Sequence, residues 1–207
     1  DAVARTLQSS PDLKAFGYEL TAQDGRTRQA GASPNPELVI DVEDAFGTGS
    51  RSGVSAVQTT ISLRQVLERG ALLQRVTVAS EGRKLLDAEL VEKRLDAASE
   101  AARRFIQVLS DQARLQLTHE ATTLAEKTVD AARLRVRAAK VPEAELGRAE
   151  AALARTRLEH EDVEHELLSS RRQLSALWGD TEAAFGEAQG QLTQLPALAP
   201  YESLSAR

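Results

Sequence analysis

Metal ligation is the first chemistry to test, because His119, His160 and His165 are the three histidines of this 207-residue chain. Imidazole and carboxylate are ordinary transition-metal ligands. If the chain folds back on itself about Val141, His119 comes level with His160, Glu164 and His165, so that all three histidines share one band. Two features count against a site. His160 and His165 lie five residues apart, which on a helix of 3.6 residues per turn separates them by about 140°. The chain also has no cysteine and no His-x-x-x-His pair, the usual frameworks for a closed site. The histidines are therefore read as seam or surface residues, no metal site is expected, and zinc or copper titration should give no saturable heat. No Ser/His/Asp set, phosphate loop or paired-carboxylate cleft is visible either. No catalytic residue, no cofactor-binding residue and no enzyme activity are assigned.

Recognition is better served than reaction. Arg137, Ala138, Ala139, Lys140, Val141, Pro142 and Glu143 form a short link between two long helical segments. Proline pre-sets the local backbone, the alanines permit close approach, and the charges can set a register. By itself such a link is an ordinary helix–helix turn, since short interhelical connections are common.

The elements that must position these residues follow from periodicity. From about Leu67 to Ala139 there is no proline, and the only glycines are Gly70 and Gly82. Leu95, Ala98, Ala102, Phe105, Leu109, Ala113, Leu117, Ala121, Leu124, Ala131 and Leu134 recur at helical spacing. About 70 residues at ~1.5 Å each predict a helix of roughly 100 Å. After Pro142 the pattern sharpens. Leu146, Ala149, Leu153, Thr156, His160, Val163, Leu167, Ser170, Leu174 and Leu177 alternate steps of three and four without a miss, which specifies a coiled-coil seam. The short link makes the two helices antiparallel neighbours. Trp178 reads as a packing anchor at the helix end, and Gly179 as its left-handed cap.

Upstream, Ser10-Pro11-Asp12 predicts an N-cap and a helix to about Ala30. Gly31 to Pro36 ends it. Leu38, Ile40, Val42 and Phe46 then alternate with polar residues at the period of a strand, as do Val57, Thr59, Ile61 and Leu63 after a Gly/Ser-rich turn. Asp44 interrupts the first alternation. Each segment is about nine residues, the length a tilted barrel strand uses to cross a bilayer. Asp41 and Glu43 would then face a polar lumen, as barrel interiors do. From Asp180 to Arg207 the chain is loop-like.

Composition narrows the class. Aromatics are 3% and the net charge is −5, with no cysteine and no methionine. Acidic and basic residues are finely mixed, so no nucleic-acid partner is expected. No run reaches the ~18 apolar residues of a membrane-spanning helix. A lone strand pair in lipid would leave its edges unsatisfied. A membrane-borne hairpin must therefore be repeated until a barrel closes, and the helical hairpins with it, giving a pore continuous with a tube.

This order of elements resembles the TolC-like outer-membrane factors, in particular their heavy-metal (CzcC-like) branch. The resemblance rests on Ala32 to Leu38 (ASPNPEL), Phe46-Gly47-Thr48-Gly49, Ser62-Leu63-Arg64-Gln65, Arg135 to Glu143 (RVRAAKVPE) and Leu177-Trp178-Gly179. It implies a mainly α fold, a long antiparallel coiled-coil hairpin plus a two-stranded β-hairpin contributing to an oligomeric transmembrane β-barrel. Residues 1–35 would be the N-terminal helix of a periplasmic tube and 36–66 the barrel hairpin. Residues 67–178 would be the coiled-coil hairpin with its tip at 140–143, and 179–207 an equatorial tail. The resemblance also implies a homotrimer of two-repeat protomers in the outer membrane of a Gram-negative bacterium, contacting its lipid. The tip would dock a periplasmic adaptor (membrane fusion) protein served by an inner-membrane RND-type pump. This chain matches the first repeat, and without methionine Asp1 is not expected to be a translation start, so a fragment or processed chain is expected. Where the family usually has glycine at the tip, this chain has Ala138-Ala139-Lys140. The rival readings are a soluble periplasmic coiled-coil structural or adaptor protein, and a helical metal sensor or store built on the histidine band.

Overall fold

The structure is a computed structural model that describes residues 1–43, 49, 57–68 and 70–192. Its elements in order are α1 (Ala2–Ser9), α2 (Pro11–Ala30), β1 (Glu37–Glu43), β2 (Gln58–Arg64), α3 (Ala71–Arg137) and α4 (Glu143–Ala176). Two compact units result, one of Asp1–Lys14 with Glu92–Arg207 and one of Ala15–Val91.

In the first unit, α4 presents the predicted seam. All ten positions from Leu146 to Leu177 are buried or half-buried, with Val163, Ser170 and Leu174 fully inside. On α3 the expectation fails in part. The face against α4 is built from Ala101, Val108, Asp111, Leu115, Thr118, Thr122, Ala125, Val129 and Val136, at steps of three, four and seven. Of the apolar stripe read from the sequence, Ala98 to Leu109 border this seam, whereas Leu117, Leu124 and Leu134 are each 66% exposed. The reason is drift. From Leu109 to Ala121 the stripe advances by fours, and each such step turns about 40° around a helix of 3.6 residues per turn. Ion pairs flank the seam, Arg114 with Glu166 at 2.6 Å and Arg157 with Glu126 at 2.8 Å.

The core sits where α3 and α4 meet the chain's tail. Val108, Leu174 and Trp178 are buried together, with Ala2, Phe105, Leu167, Phe185 and Ala188 packed against them. The Trp178 indole N–H donates to Asp180 Oδ2 at 2.6 Å, which also accepts from Arg5 at 3.0 Å while the Arg5 guanidinium lies over the indole. Phe185 meets Trp178 edge-on, with ring centroids 6.0 Å apart. The described tail residues after Asp180 carry no helix or strand, as expected, yet they are not free. Arg171 donates to the Phe185 carbonyl, and a Cβ at Gly190 would fall 2.7 Å from Leu109 Cδ1. A side chain at this position would have to displace the end of Leu109.

One N-terminal helix was expected, and there are two. Ser10 leaves the helical region with ψ 126°, because the ring of the following proline clashes with an α conformation at the residue before it. The helix predicted to start at Pro11 and end near Ala30 does so. The segment before it folds as α1, with the Asp1 carboxylate accepting from the Val3 N–H at 3.1 Å as an N-cap.

In the second unit, β1 and β2 pair antiparallel from Glu37↔Arg64 to Glu43↔Gln58. The register puts Leu38 opposite Leu63 and Ile40 opposite Ile61, so the apolar residues of both strands share one face. Those four side chains and Val42 are all exposed. Asp41 and Glu43 stand on the opposite face, across from Thr60 and Gln58. The described strands are seven residues each, shorter than the nine expected. Asp44, Phe46 and the Gly/Ser-rich turn lie outside the described residues, except Gly49. The Gln23 amide donates to the Ala79 carbonyl at 2.9 Å over Gly82, where a Cβ would sit 2.9 Å from the Gln23 nitrogen. A side chain at Gly82 would have to displace that amide.

Candidate docking site at the helical tip

Helix α3 ends in two backbone bonds that define its geometry. The Lys140 N–H reaches back to the Arg135 carbonyl at 3.0 Å, and the Ala139 N–H to the Val136 carbonyl at 2.9 Å. This is the six-to-one and five-to-two pattern that closes a helix through a left-handed residue. The left-handed residue is Ala139, at φ 57°, where the departure from glycine costs about 1–2 kcal/mol. Pro142 follows at φ −62° and ψ 150° and opens α4 without a side-chain cap. Glu143 and Glu145 in the first turn offset the positive end of the helix dipole.

The structure brings the seven sequence-predicted tip residues together in this one turn. Val141 is half-buried, and Arg137, Ala138, Ala139, Lys140, Pro142 and Glu143 are exposed. Beside them runs a groove of about 710 Å³ between the last turns of α3 and the first of α4. Ala131, Ala132, Ala149, Val141 and Pro142 line it together with Thr128 and the charged Lys127, Arg135, Glu145 and Arg148. The groove was not anticipated. Its signal was present in the three- and four-residue steps back from Arg135 through Ala131 to Thr128, which place small residues on one face.

The histidine band comes together only in part. His119 and His160 do meet, with ring centroids 5.8 Å apart, and His160 Nδ1 is hydrogen-bonded to the Thr118 hydroxyl at 3.0 Å. His160 Nε2 lies 3.6 Å from Glu164. Among the described residues no group of three His, Cys, Asp or Glu is gathered to hold a metal ion, and His165 stays exposed outside the pair.

Among the described residues no helix is long and apolar enough to cross a membrane. A long antiparallel helical hairpin carrying a strand pair with one bare apolar face is the build of a TolC-like channel subunit. The chain belongs to the outer membrane efflux protein family, whose profile matches residues 2–180. That family is one of efflux ducts rather than of enzymes. The chain is 33% identical over 196 residues to the cobalt-zinc-cadmium resistance protein CzcC of Cupriavidus metallidurans, covering 95% of this chain and 46% of that protein. It is 26% identical to the nickel-cobalt-cadmium resistance protein NccC of Alcaligenes xylosoxydans xylosoxydans, over 95% of this chain and 45% of that one. The chain thus spans about half the length of the curated relatives it matches. Its fold is also that of the outer membrane protein VceC of Vibrio cholerae, with a TM-score of 0.72 at 21% identity over 94% of this chain and 50% of that one.

Proposed function

We propose that this chain is one repeat of a passive outer-membrane efflux duct that docks a periplasmic adaptor through the α3–α4 tip. The carrying observation is that one chain joins a strand pair with an uncovered apolar face to a long hairpin ending in a shaped turn. Lipid on Leu38, Ile40, Ile61 and Leu63 and a lumen on Asp41 and Glu43 account for the two faces of the sheet. Closure of the strand edges requires further copies, in a homotrimer. Neighbouring hairpins in the same tube give the outward leucines of α3 something to pack on. The duct performs no catalysis. An inner-membrane RND-type pump supplies the energy, and the names of the two resistance relatives point to divalent heavy-metal ions as the cargo.

The test is Val141→Asp in the full-length duct. A buried-edge valine at the preset turn loses little entropy when a partner docks, and a carboxylate there disrupts the groove lining. Heat-resistant trimer on a gel should be unchanged while metal tolerance in cells falls to that of a duct-less strain. Normal tolerance with normal trimer would reduce the tip to a plain turn, and a lost trimer would make Val141 structural.

A further inference from the structure

In the second unit the chain passes from α2 to β1 through residues 31–36, at the end of the sheet where Leu38 stands opposite Leu63. An open cleft of about 600 Å³ lies at this link, lined by Arg26, Gln29, Ser33, Asn35 and Arg75 with Pro34 and two alanines. These residues supply two guanidinium groups, two carboxamides and a hydroxyl, and among the described residues no acidic one lines the cleft. Neither arginine is used up. Arg26 donates to the Gln23 side-chain carbonyl at 3.1 Å and has no ion pair among the described residues. Arg75 bonds Glu68, which offsets its charge and leaves Arg26 as the net cation. A guanidinium carries five N–H donors in a planar fork that matches phosphate oxygens, so both arginines keep donors to spare. The carbonyls of the last α2 turn that would oppose an anion are themselves capped. Gly31 N–H bonds the Thr27 and Arg28 carbonyls, and Ala32 N–H the Gln29 carbonyl.

Position decides what the anion belongs to. Asn35 precedes Leu38 by three residues, so the two are at most ~11 Å apart along the chain. The polar zone on each side of a bilayer's hydrocarbon core is ~5–8 Å deep. With Leu38, Ile40, Ile61 and Leu63 against acyl chains, the cleft lies at the depth of the headgroups or just outside it. Val66 and Leu67, past the same end of β2, are also exposed and add apolar area at that boundary. We propose that this cleft binds the phosphate of an anionic phospholipid in the leaflet on the helical side of the barrel. Arg26 supplies the charge, and Arg75, Gln29 and Asn35 supply further donors. The proposal rests on the duct reading above and adds to it a lipid site where tube and barrel join. A free phosphate has only the cleft to hold it, whereas a lipid is held in addition by its acyl chains along the apolar face.

The experiment places the full-length trimer in micelles of neutral detergent mixed with phosphatidylglycerol or phosphatidylcholine and counts lipids retained per trimer by native mass spectrometry. Wild type should retain phosphatidylglycerol about tenfold over phosphatidylcholine, and Arg26→Gln should lower that retention about fivefold, as for one cation at an anionic surface. Arg28→Gln removes a charge from the same helix end outside the cleft and should change retention less than ~twofold. Gln29→Leu removes a donor and no charge, and should lower retention about threefold. Heat-resistant trimer on a gel checks that each variant is assembled. Equal retention of the two lipids by wild type, or equal losses in Arg26→Gln and Arg28→Gln, would overturn the site and leave the duct reading intact. Displacement of phosphatidylglycerol by ~10 mM inorganic phosphate, but not by chloride of equal ionic strength, would overturn the lipid in favour of a soluble anion. Wild-type trimer that fails to insert into vesicles of phosphatidylcholine alone would remove the duct reading and this site with it.

Discussion

The two ends of the α3–α4 hairpin close their helices with the same hydrogen bonds and are otherwise opposites. At one end Asp180 N–H bonds the Ser175 carbonyl and Gly179 N–H the Ala176 carbonyl, with Gly179 at φ 88°. At the other the left-handed position is held by Ala139. The glycine end is packed, with Trp178 buried between Arg5, Leu174 and Phe185. The alanine end has no aromatic, and its groove is lined by small and charged side chains. One end anchors the hairpin. The other keeps a defined shape without filling its own surface, which is what a contact surface for a second molecule requires.

Trp178→Ala breaks the packed end most severely. It removes the largest side chain of the core cluster and its bond to Asp180, and should cost about 3–5 kcal/mol. Thermal unfolding of the full chain followed by circular dichroism measures it, and the tip should still bind the adaptor in protein that remains folded. An effect below ~1 kcal/mol would mean that Trp178 does not anchor this end.

Exchanging the caps tests the comparison directly. Gly179→Ala should destabilise by about 1–2 kcal/mol, from the left-handed backbone and from a Cβ placed 3.3 Å from Pro11 Cγ. Ala139→Gly should stabilise by a few tenths to ~1 kcal/mol, since relief of the same strain is partly offset by unfolded-state entropy. Urea denaturation of both variants reads the two signs. A loss of stability in Ala139→Gly would show that the alanine side chain holds the turn.

The smallest effect concerns Glu100, beside the packed end. The hydrogen bond from Arg104 at 2.6 Å holds its carboxyl below the usual carboxylate range, aided by the charges of Arg104 and Arg103. A carboxyl lowered in the folded state contributes stability that is present above its unfolded value and is lost as the pH falls through its folded value. That contribution should be intact at neutral pH and fade in acid. Arg104→Met should move the Glu100 carboxyl upward in an NMR titration, with little change in stability at neutral pH because the site is partly exposed. An unmoved titration would show that Arg104 does not set it.

What the sequence determined by itself was local. The α4 seam, the break before Pro11, the turn at Val141-Pro142 and the cap at Gly179 each follow from steric rules within a few residues, or from a heptad kept over the whole helix. The strand pairing was legible for the same reason, since alternation places Leu38, Ile40, Ile61 and Leu63 on one face in any in-register pairing. The seam of α3 was not legible. It uses Asp111, Thr118 and Thr122, which no apolar pattern marks, while Leu117, Leu124 and Leu134, which do stand out, are exposed. Only the tertiary structure decided which face of α3 meets its neighbour, because a helix with two small-residue or apolar faces satisfies its own backbone equally well in either orientation. It also decided that Ala139 takes the left-handed position, that the tail returns to pack Phe185 on Trp178, and that Lys127 and Arg135 line the groove. Each of these depends on residues distant in sequence competing for the same space, and burial against a particular neighbour, rather than local preference, settles that competition.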